Sequence, residues 1–352
     1  MLKLHLLNEN DIQGLPHGCS HIRLLRPFSH PSIANELTVS QGLDLPATPV
    51  DIVIVERSWR AGVTLDMAQK LVASIRKLGA KFIYTLDDNL LDLNQDAPWE
   101  TFPTDEQRMA FRYFSRRADG LIVSTDNLSH RFSVLNQNIF VIPNALDERL
   151  FPPKDSALPT RRDGVLKIGY MGTRTHASDL LMILAPLRDF LRRNEGKVVL
   201  ELVGIYADER VEKCFTGYPV RFLDVGNAVD YVKFIPWAAH NLRWDYALAP
   251  LEDSLFNRNK SDIKFLDYAM LGIPGIFSRA SSYGDTVVHR ETGWLCDNCS
   301  DSWSTALETL LIDTSLRNAM ALKASNYVTN HRTLAQCAIN WLNAVRTIAG
   351  PG

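Results

Sequence analysis

The sequence has no apolar run near the ~20 residues that a membrane-spanning helix needs, no low-complexity tract and no short-period repeat. Those absences exclude a helical membrane protein, a disordered chain and a solenoid as the expected class. Cysteine is sparse: Cys19, Cys214, Cys296, Cys299 and Cys337 are odd in number and widely spaced. They do not suggest a disulfide framework, and a reducing compartment fits best. Cys296 and Cys299 form a C-x-x-C pair, but no second pair completes a zinc site, so the expectation is a strand end followed by a loop and no metal. Charge of one sign is lacking too. The formal net charge of −2 gives no overall electrostatic case for nucleic acid or an anionic membrane. There is no G-x-G-x-x-G fingerprint and no Walker loop, so a redox dinucleotide or P-loop reading has no motif behind it. Met1-Leu2-Lys3-Leu4-His5 is too charged and too short in its apolar run to resemble a signal peptide. The expected location is cytoplasmic, with peripheral attachment at the inner face of a membrane compatible. Nothing in the residues specifies an oligomeric state.

What is present is ordinary globular material: 352 residues, 46% hydrophobic and 22% charged. That length predicts two domains of roughly 150–180 residues each. Short apolar runs alternate with longer helical patterns. In the first half the strand candidates are Leu2–Leu7, Asp51–Glu56, Lys81–Leu86, Gly120–Ser124 and Ile139–Ile142, with helices over Thr64–Leu78 and Thr104–Arg117. Glu9–Pro49, rich in Gly, Pro, His and Ser, reads as a helix among long loops. Phe151–Gly164, with three prolines and almost no apolar periodicity, reads as a linker. The alternation then restarts: strands at Val165–Met171, Val198–Val203, Val220–Leu223, Trp244–Pro250 and Gly275–Ser278, helices at Ser178–Asn194 and Ser261–Leu271, and closing helices at Ser302–Ile312, Ser315–Asn326 and Thr333–Ile348. Strand–helix repetition of this kind predicts parallel sheets covered on both faces. The expected fold is α/β: two Rossmann-like doubly wound domains facing across a cleft, one over 1–155 and one over 156–332, with 333–352 a helix that packs back on the first.

Ligands of such sheets bind beyond the carboxyl ends of the strands, so the residues after each strand are the informative ones. In Lys167-Ile168-Gly169-Tyr170-Met171-Gly172-Thr173-Arg174-Thr175-His176-Ala177-Ser178-Asp179 a strand ends at Gly172 and a helix begins near Ser178. Gly172 lets a ligand approach the backbone, the helix start favours an anion, and Arg174 can add a bidentate phosphate contact. The alternative is a plain strand-to-helix turn capped by Ser178. His176 is the one histidine whose position argues for the cleft; His30 and His130 are isolated. In the stretch from Ala249 to Pro274, a polar loop with Arg258 and Lys260 precedes a helix that stops at Gly272. Ile263, Leu266 and Met270 share its apolar face, and Lys264 and Asp267 share a neighbouring one. Cations beside a helix start, with a carboxylate one turn deeper, suit a diphosphate plus a ribose. A surface ion pair between Lys264 and Asp267 is the alternative, and such pairs contribute only ~0.3–0.5 kcal/mol.

Here a resemblance becomes specific. The IGYMGT turn, Ser178-Asp179, LELVG at 200–204, YALAPL at 246–251, FNRNKSDIKFLDYAMLGIPGI and ETGWL at 291–295 resemble, in order, the C-terminal half of the GT-B glycosyltransferases of the group 1 or family 4 class. The resemblance implies a retaining enzyme that uses a nucleoside-diphosphate sugar, needs no cofactor, and acts on a glycan, a lipid-linked glycan or another hydroxyl acceptor. It implies that Asp267 holds the ribose, that Arg174, Lys260 and Lys264 hold the diphosphate, and that Gly172, Thr173, His176, Arg258, Ser261, Ser282 and Tyr283 belong to the donor pocket. The family carries two acids eight positions apart in this region; the first falls here on Asn259, and the second on Asp267, shorter than the usual Glu.

The first half matches loosely. His17–Pro27 resembles the Gly- and Arg-containing opening loop and helix of these enzymes, which makes His21 and Arg23 acceptor-binding candidates; the alternative is that Arg23 and Arg26 form a solvated helix face. The strand end at Phe82–Leu90 resembles the segment that often bears a His-Asp pair near the reacting sugar. Asp87 would replace the His and Asp88 match the Asp, as base or orienter, with Lys260 completing the catalytic set. A helix N-cap is the alternative for these aspartates; a metal-binding pair is discounted, since adjacent carboxylates point differently from an i, i+2 pair. A non-catalytic nucleotide-sugar-binding subunit of a glycan-assembly complex is the second reading, kept by Asn259. An epimerase on the same scaffold is the third, without a clearly placed pair of acids.

Overall fold

The computed structural model describes residues 1–11, 14–93, 102–152, 164–205 and 209–350, apart from the side chains of Arg174 and Ser281. The chain divides into two compact units. The first is Met1–Asp147 with Arg258–Ser261 and Thr333–Gly352; the second is Glu148–Asn257 with Asp262–Arg332. The linker read at 151–164 lies, over 153–163, outside the described residues.

Unit 1 holds six parallel strands: β1 (Leu2–Leu7), β2 (Leu37–Gln41), β3 (Ile52–Glu56), β4 (Lys81–Leu86), β5 (Gly120–Val123) and β6 (Ile139–Val141), in the order β2-β1-β3-β4-β5-β6. The order reverses between β1 and β3, where Leu4 is in register with Ile52. Both faces are apolar, as a parallel sheet requires. Val53, Val55, Phe82, Tyr84, Leu121 and Val123 pack against the helices Leu65–Lys77 and Asp105–Arg117. Thr64 and Thr104 cap those two helices, the second in a full capping box with Gln107. On the other face Leu4, Leu6, Ile52, Ile54 and Ile83 meet Leu24, Phe28 and the helix Leu334–Ala349, whose Trp341 ring lies edge-on to Phe28 at 5.5 Å.

β2 lies in the region read as helix and loops. It is an edge strand in which only Leu37 is buried, so it has almost no apolar periodicity to reveal it. The helix read in that region is two: Gly18–Phe28, which passes through a wide π-type turn at His21–Leu25, and the short Pro31–Ala34.

Unit 2 holds β7 (Leu166–Met171), β8 (Val198–Val203), β9 (Val220–Leu223), β10 (Tyr246–Ala249), β11 (Gly275–Ser278) and β12 (Trp294–Cys296), all parallel, in the order β12-β11-β10-β7-β8-β9. Counted within the unit this is 3-2-1-4-5-6, the dinucleotide-fold order, which reverses between β7 and β10. One face packs Ile168, Tyr170, Leu200, Leu202 and Leu248 on Leu187, Phe190, Trp303 and Leu307. On β7 a Cβ at Gly169 would lie 1.8 Å from the Trp244 indole, so only glycine admits that ring onto the strand.

Two helices differ from expectation. The one read over Ser178–Asn194 is broken into Ala177–Met182 and Leu184–Arg193. Pro186 supplies the reason: it has no N–H to bond one turn back, and it is tolerated only in a first turn. The helix read from Ser261 begins at Ile263, after a 3-10 turn at Asn257–Asn259.

Candidate functional site

In unit 2 the carboxyl ends of β7 and β10, where the strand order reverses, lead into Gly172–His176 and Pro250–Asn257. The first loop ends in a 3-10 turn, Arg174–His176, and Ala177–Met182 follows. Ser178 therefore lies inside the first turn and is not the cap; His176 holds that position without a capping side-chain bond. Beside this loop, a Cβ on Gly204 would stand 2.7 Å from the Gly172 carbonyl oxygen, and Gly204 has φ +79°. The loops after β7 and β8 thus touch through bare backbone.

Helix Ile263–Met270 is tied to both central strands by Tyr268, whose hydroxyl donates to the Leu248 carbonyl (2.9 Å) and accepts the Met171 amide (3.3 Å). That anchor brings Lys264 to β7, with Nζ 5.1 Å from the centre of the Tyr170 ring. Asp267 is buried, and its Oδ1 has no hydrogen-bond partner. Burial pushes its carboxyl up to about 7, against the opposing pull of Lys264. A buried acid with an unmet acceptor is costly, and a hydroxyl-bearing ligand would relieve it. Asp262 stands at the N-cap position, but its carboxylate pairs with both terminal nitrogens of Arg332, each at 2.8 Å, and makes no cap.

Gly172, Thr173, His176, Lys264 and Asp267 are thus brought to one end of one sheet; for Arg174 only the backbone is described. Ser282 donates to the Asn257 carbonyl at 2.9 Å. Tyr283 is a wall residue: its ring packs on Phe277 at 5.0 Å, and burial holds its phenol well above the usual value. Arg258, Lys260 and Ser261 belong to the four-residue stretch that clusters with unit 1. There Thr125 and Asn127 bond the carbonyls of Asn259 and Arg258, and Asn144 donates to the Ser261 hydroxyl.

In unit 1 the reversal lies between β1 and β3, and it carries a charged cluster. Arg57 has φ +41° and Trp59 φ +55°, left-handed conformations rare outside glycine. The Arg57 guanidinium reaches Glu9 (3.1 Å), Asp87 (3.4 Å), Asp88 (3.6 Å) and the Cys19 sulfur (3.1 Å), and its carbonyl accepts the Tyr84 hydroxyl (3.0 Å). Next to it, Glu56 is 1% exposed. Its Oε2 accepts the Ser20 hydroxyl (2.5 Å) and the Glu9 amide (2.9 Å), and burial pushes its carboxyl up to about 8. Arg57 and Glu56 escaped the sequence reading. The signal available was their place at the end of an apolar strand, Ile52–Glu56.

Asp87 and Asp88 are in this cluster, and no helix starts from them among the described residues, so the N-cap alternative fails. Arg23 does not face solvent: it is 1% exposed, donates to the Ile142 carbonyl and Asn144 Oδ1, and stacks on Trp341 at 4.6 Å. The solvated-face alternative therefore fails. Burial lowers its guanidinium to about 10. Arg26 pairs with Asp147, and His21 is half-buried in the wide turn. Cys296 is buried and Cys299 exposed, both unbridged. Among the described residues no three His, Cys, Asp or Glu side chains are placed to hold a metal ion, and no helix is long and apolar enough to cross a membrane.

A cavity of about 490 Å³, lined by Leu166, Leu242, Trp244, Ile273 and Arg317 among others, opens at the amino ends of β7, β10 and β11. That is the end of the sheet opposite the glycine loops, away from where such sheets bind ligands.

No protein-family model matches the sequence, and no curated protein matches it. Solved structures do. HepE from Anabaena, in complex with UDP-glucose, is similar at 15% identity and a TM-score of 0.66, over 98% of this chain and 99% of that one. A glycosyltransferase from Rickettsia africae ESF-5 is similar at 13% identity and 0.67, over 100% and 99%. Sucrose-phosphate synthase from Thermosynechococcus elongatus is similar at 14% identity and 0.64, over 85% and 74%. At these identities the likeness is one of fold.

Proposed function

We propose that this chain, which has the GT-B fold of two Rossmann-like units, is a glycosyltransferase that moves a sugar from a nucleoside-diphosphate donor to a hydroxyl acceptor. One observation carries the reading. At the switch point of unit 2, bare glycine backbone, the Lys264 ammonium and the buried, unsatisfied Asp267 carboxylate stand together. Pyrophosphate needs close backbone amides and positive charge, and a ribose needs an acceptor for its hydroxyls. UDP-sugars are the first donors to try, because HepE is described with UDP-glucose.

In this reading the anomeric C–O bond to the diphosphate breaks and a bond to the acceptor oxygen forms, with retention. The acceptor proton goes to a carboxylate or to the departing phosphate. Arg174 and Lys264 stabilise the leaving charge, and no metal or other cofactor is invoked. Asp87 and Asp88, fixed by Arg57, orient the acceptor, which is a glycan or a lipid-linked glycan. A non-catalytic nucleotide-sugar-binding subunit is the second reading, favoured by Asn259 at the position of the first family acid.

The test is calorimetric titration of UDP, GDP and ADP, followed by donor hydrolysis with the nucleotide that binds. Asp267→Asn should weaken that nucleotide about tenfold, which is ~1.4 kcal/mol. Wild-type affinity should rise as pH climbs through about 7, because the ionised acid is the better acceptor. If none of the three diphosphates binds, the assignment fails. Binding with no slow hydrolysis favours the subunit reading.

A further inference from the structure

His176 and Asp179 form a pair that the donor reading does not by itself require. His176 Nδ1 lies 2.7 Å from Asp179 Oδ2, one helical turn on. Asp179 is 3% exposed, and its Oδ1 accepts the Glu252 amide at 2.8 Å from the segment after β10. The Tyr170 hydroxyl donates to the His176 carbonyl at 3.1 Å. Three elements therefore hold one ring: β7 through Tyr170, the helix Ala177–Met182 through Asp179, and the chain after β10 through Glu252. The ring is the more exposed partner, with a fifth of its side chain open, while the carboxylate lies behind it.

The charges around the pair have identifiable effects. Burial works to raise the Asp179 carboxyl, but the His176 ring, the Glu252 amide and Lys264 outweigh it and hold it below its ordinary value. Among the described residues Asp179 is a carboxylate in contact with the ring, and Lys264, from helix Ile263–Met270, is a cation that acts on Asp179. A carboxylate bonded to one ring nitrogen favours the doubly protonated ring.

We propose that Asp179 is a positioning residue that fixes the His176 ring and favours its imidazolium form, so that the loop after β7 presents the donor diphosphate with a cation. The inference rests on the donor reading above and adds to it a charge that the sequence motif left as a bare histidine. The pair is neutral as a whole, but its positive end is the exposed one. Replacing Asp179 by Asn leaves a neutral pair without that polarity.

The first measurement needs no ligand. In the full-length protein the His176 ring resonance, assigned by its loss in His176→Gln, is titrated by NMR in wild type and Asp179→Asn. The midpoint should fall by about one pH unit or more in the variant; equal midpoints overturn the inference. The second is UDP affinity at pH 6.0, 7.5 and 8.5. Asp267, which titrates near 7 and acts in the opposite sense, is common to all variants, so variants are compared at each pH. At pH 7.5, Asp179→Asn should bind UDP several-fold more weakly than wild type, and at pH 6.0 most of that deficit should disappear. His176→Gln should be weak at every pH. Acid rescue separates a lost charge from a distorted loop, and Asp179→Glu, which keeps the carboxylate, should retain wild-type behaviour. UDP binding with unchanged ring midpoints or no acid rescue overturns this inference alone. A shifted ring in a protein that binds UDP, GDP and ADP at no pH overturns the donor reading, and this inference with it.

Discussion

The two sheets reverse their strand order at the same kind of place and fill it in opposite ways. At the β7/β10 switch point of unit 2 the loops are bare backbone at Gly172 and Gly204, with Lys264 and His176 near them and one buried carboxylate, Asp267. At the β1/β3 switch point of unit 1 Glu9, Asp87 and Asp88 crowd one guanidinium, Arg57, and Glu56 is buried next to it. Topology provides the location; the side chains decide the charge. The first site suits an anion. The second carries excess negative charge, which suits neutral hydroxyls and disfavours phosphate.

The sharpest way to break this comparison is Arg57→Met. It removes the cation from three carboxylates and should cost about 3–5 kcal/mol at neutral pH, read as a lowered denaturant midpoint. Arg57→Lys, which keeps the positive charge, should recover much of that loss. An equal loss in Arg57→Lys and Arg57→Met would mean that the charge cluster is not what the side chain stabilises.

Glu56→Gln should have a smaller effect of opposite sign. With its folded carboxyl raised to about 8 from 4.5, the folded state binds more protons than the unfolded one between those values. Wild-type stability should therefore fall as pH rises from about 4.5 to 8. The Gln variant should lose that slope and be more stable than wild type at pH 9, by on the order of 2 kcal/mol. Thermal melts from pH 5 to 9 measure it; parallel slopes for the two proteins would show that Glu56 ionises freely. Lys70→Ala supplies the floor. Its pair with Asp66 lies on an exposed helix face of unit 1, and its loss should change stability by no more than about 0.5 kcal/mol.

How much of this could be read in advance differs by element. β1, β4, β8 and β11 have the bounds that their apolar runs predict, because strands inside a parallel sheet are apolar over most of their length; β9 has them too, although it is an edge strand with no fully buried residue. β2 has one buried residue and gave no such signal. Lys264 and Asp267 were legible because helical spacing puts i and i+3 on one face, whatever the helix packs against. The solvated-face alternative for Arg23 failed for the converse reason: as far as periodicity can tell, a charged residue on a helix faces water, and the Ile142 carbonyl, Asn144 and the Trp341 ring that meet it in the interior are more than a hundred residues away. Ser261 looked like a cap until Asp262 took that position and spent its carboxylate on Arg332.

By itself the sequence determined two alternating α/β units, most of the elements in them and the loops where chemistry would be found, since periodicity, prolines and glycines act over a few residues. Only the tertiary structure decided the strand order, and with it the two switch points, because parallel neighbours such as β7 and β10 are some eighty residues apart in the chain. It alone decided which charges are met and which are not. Whether Arg57 has three carboxylates, or Asp267 an oxygen left without a partner, depends on distances that no local spacing encodes.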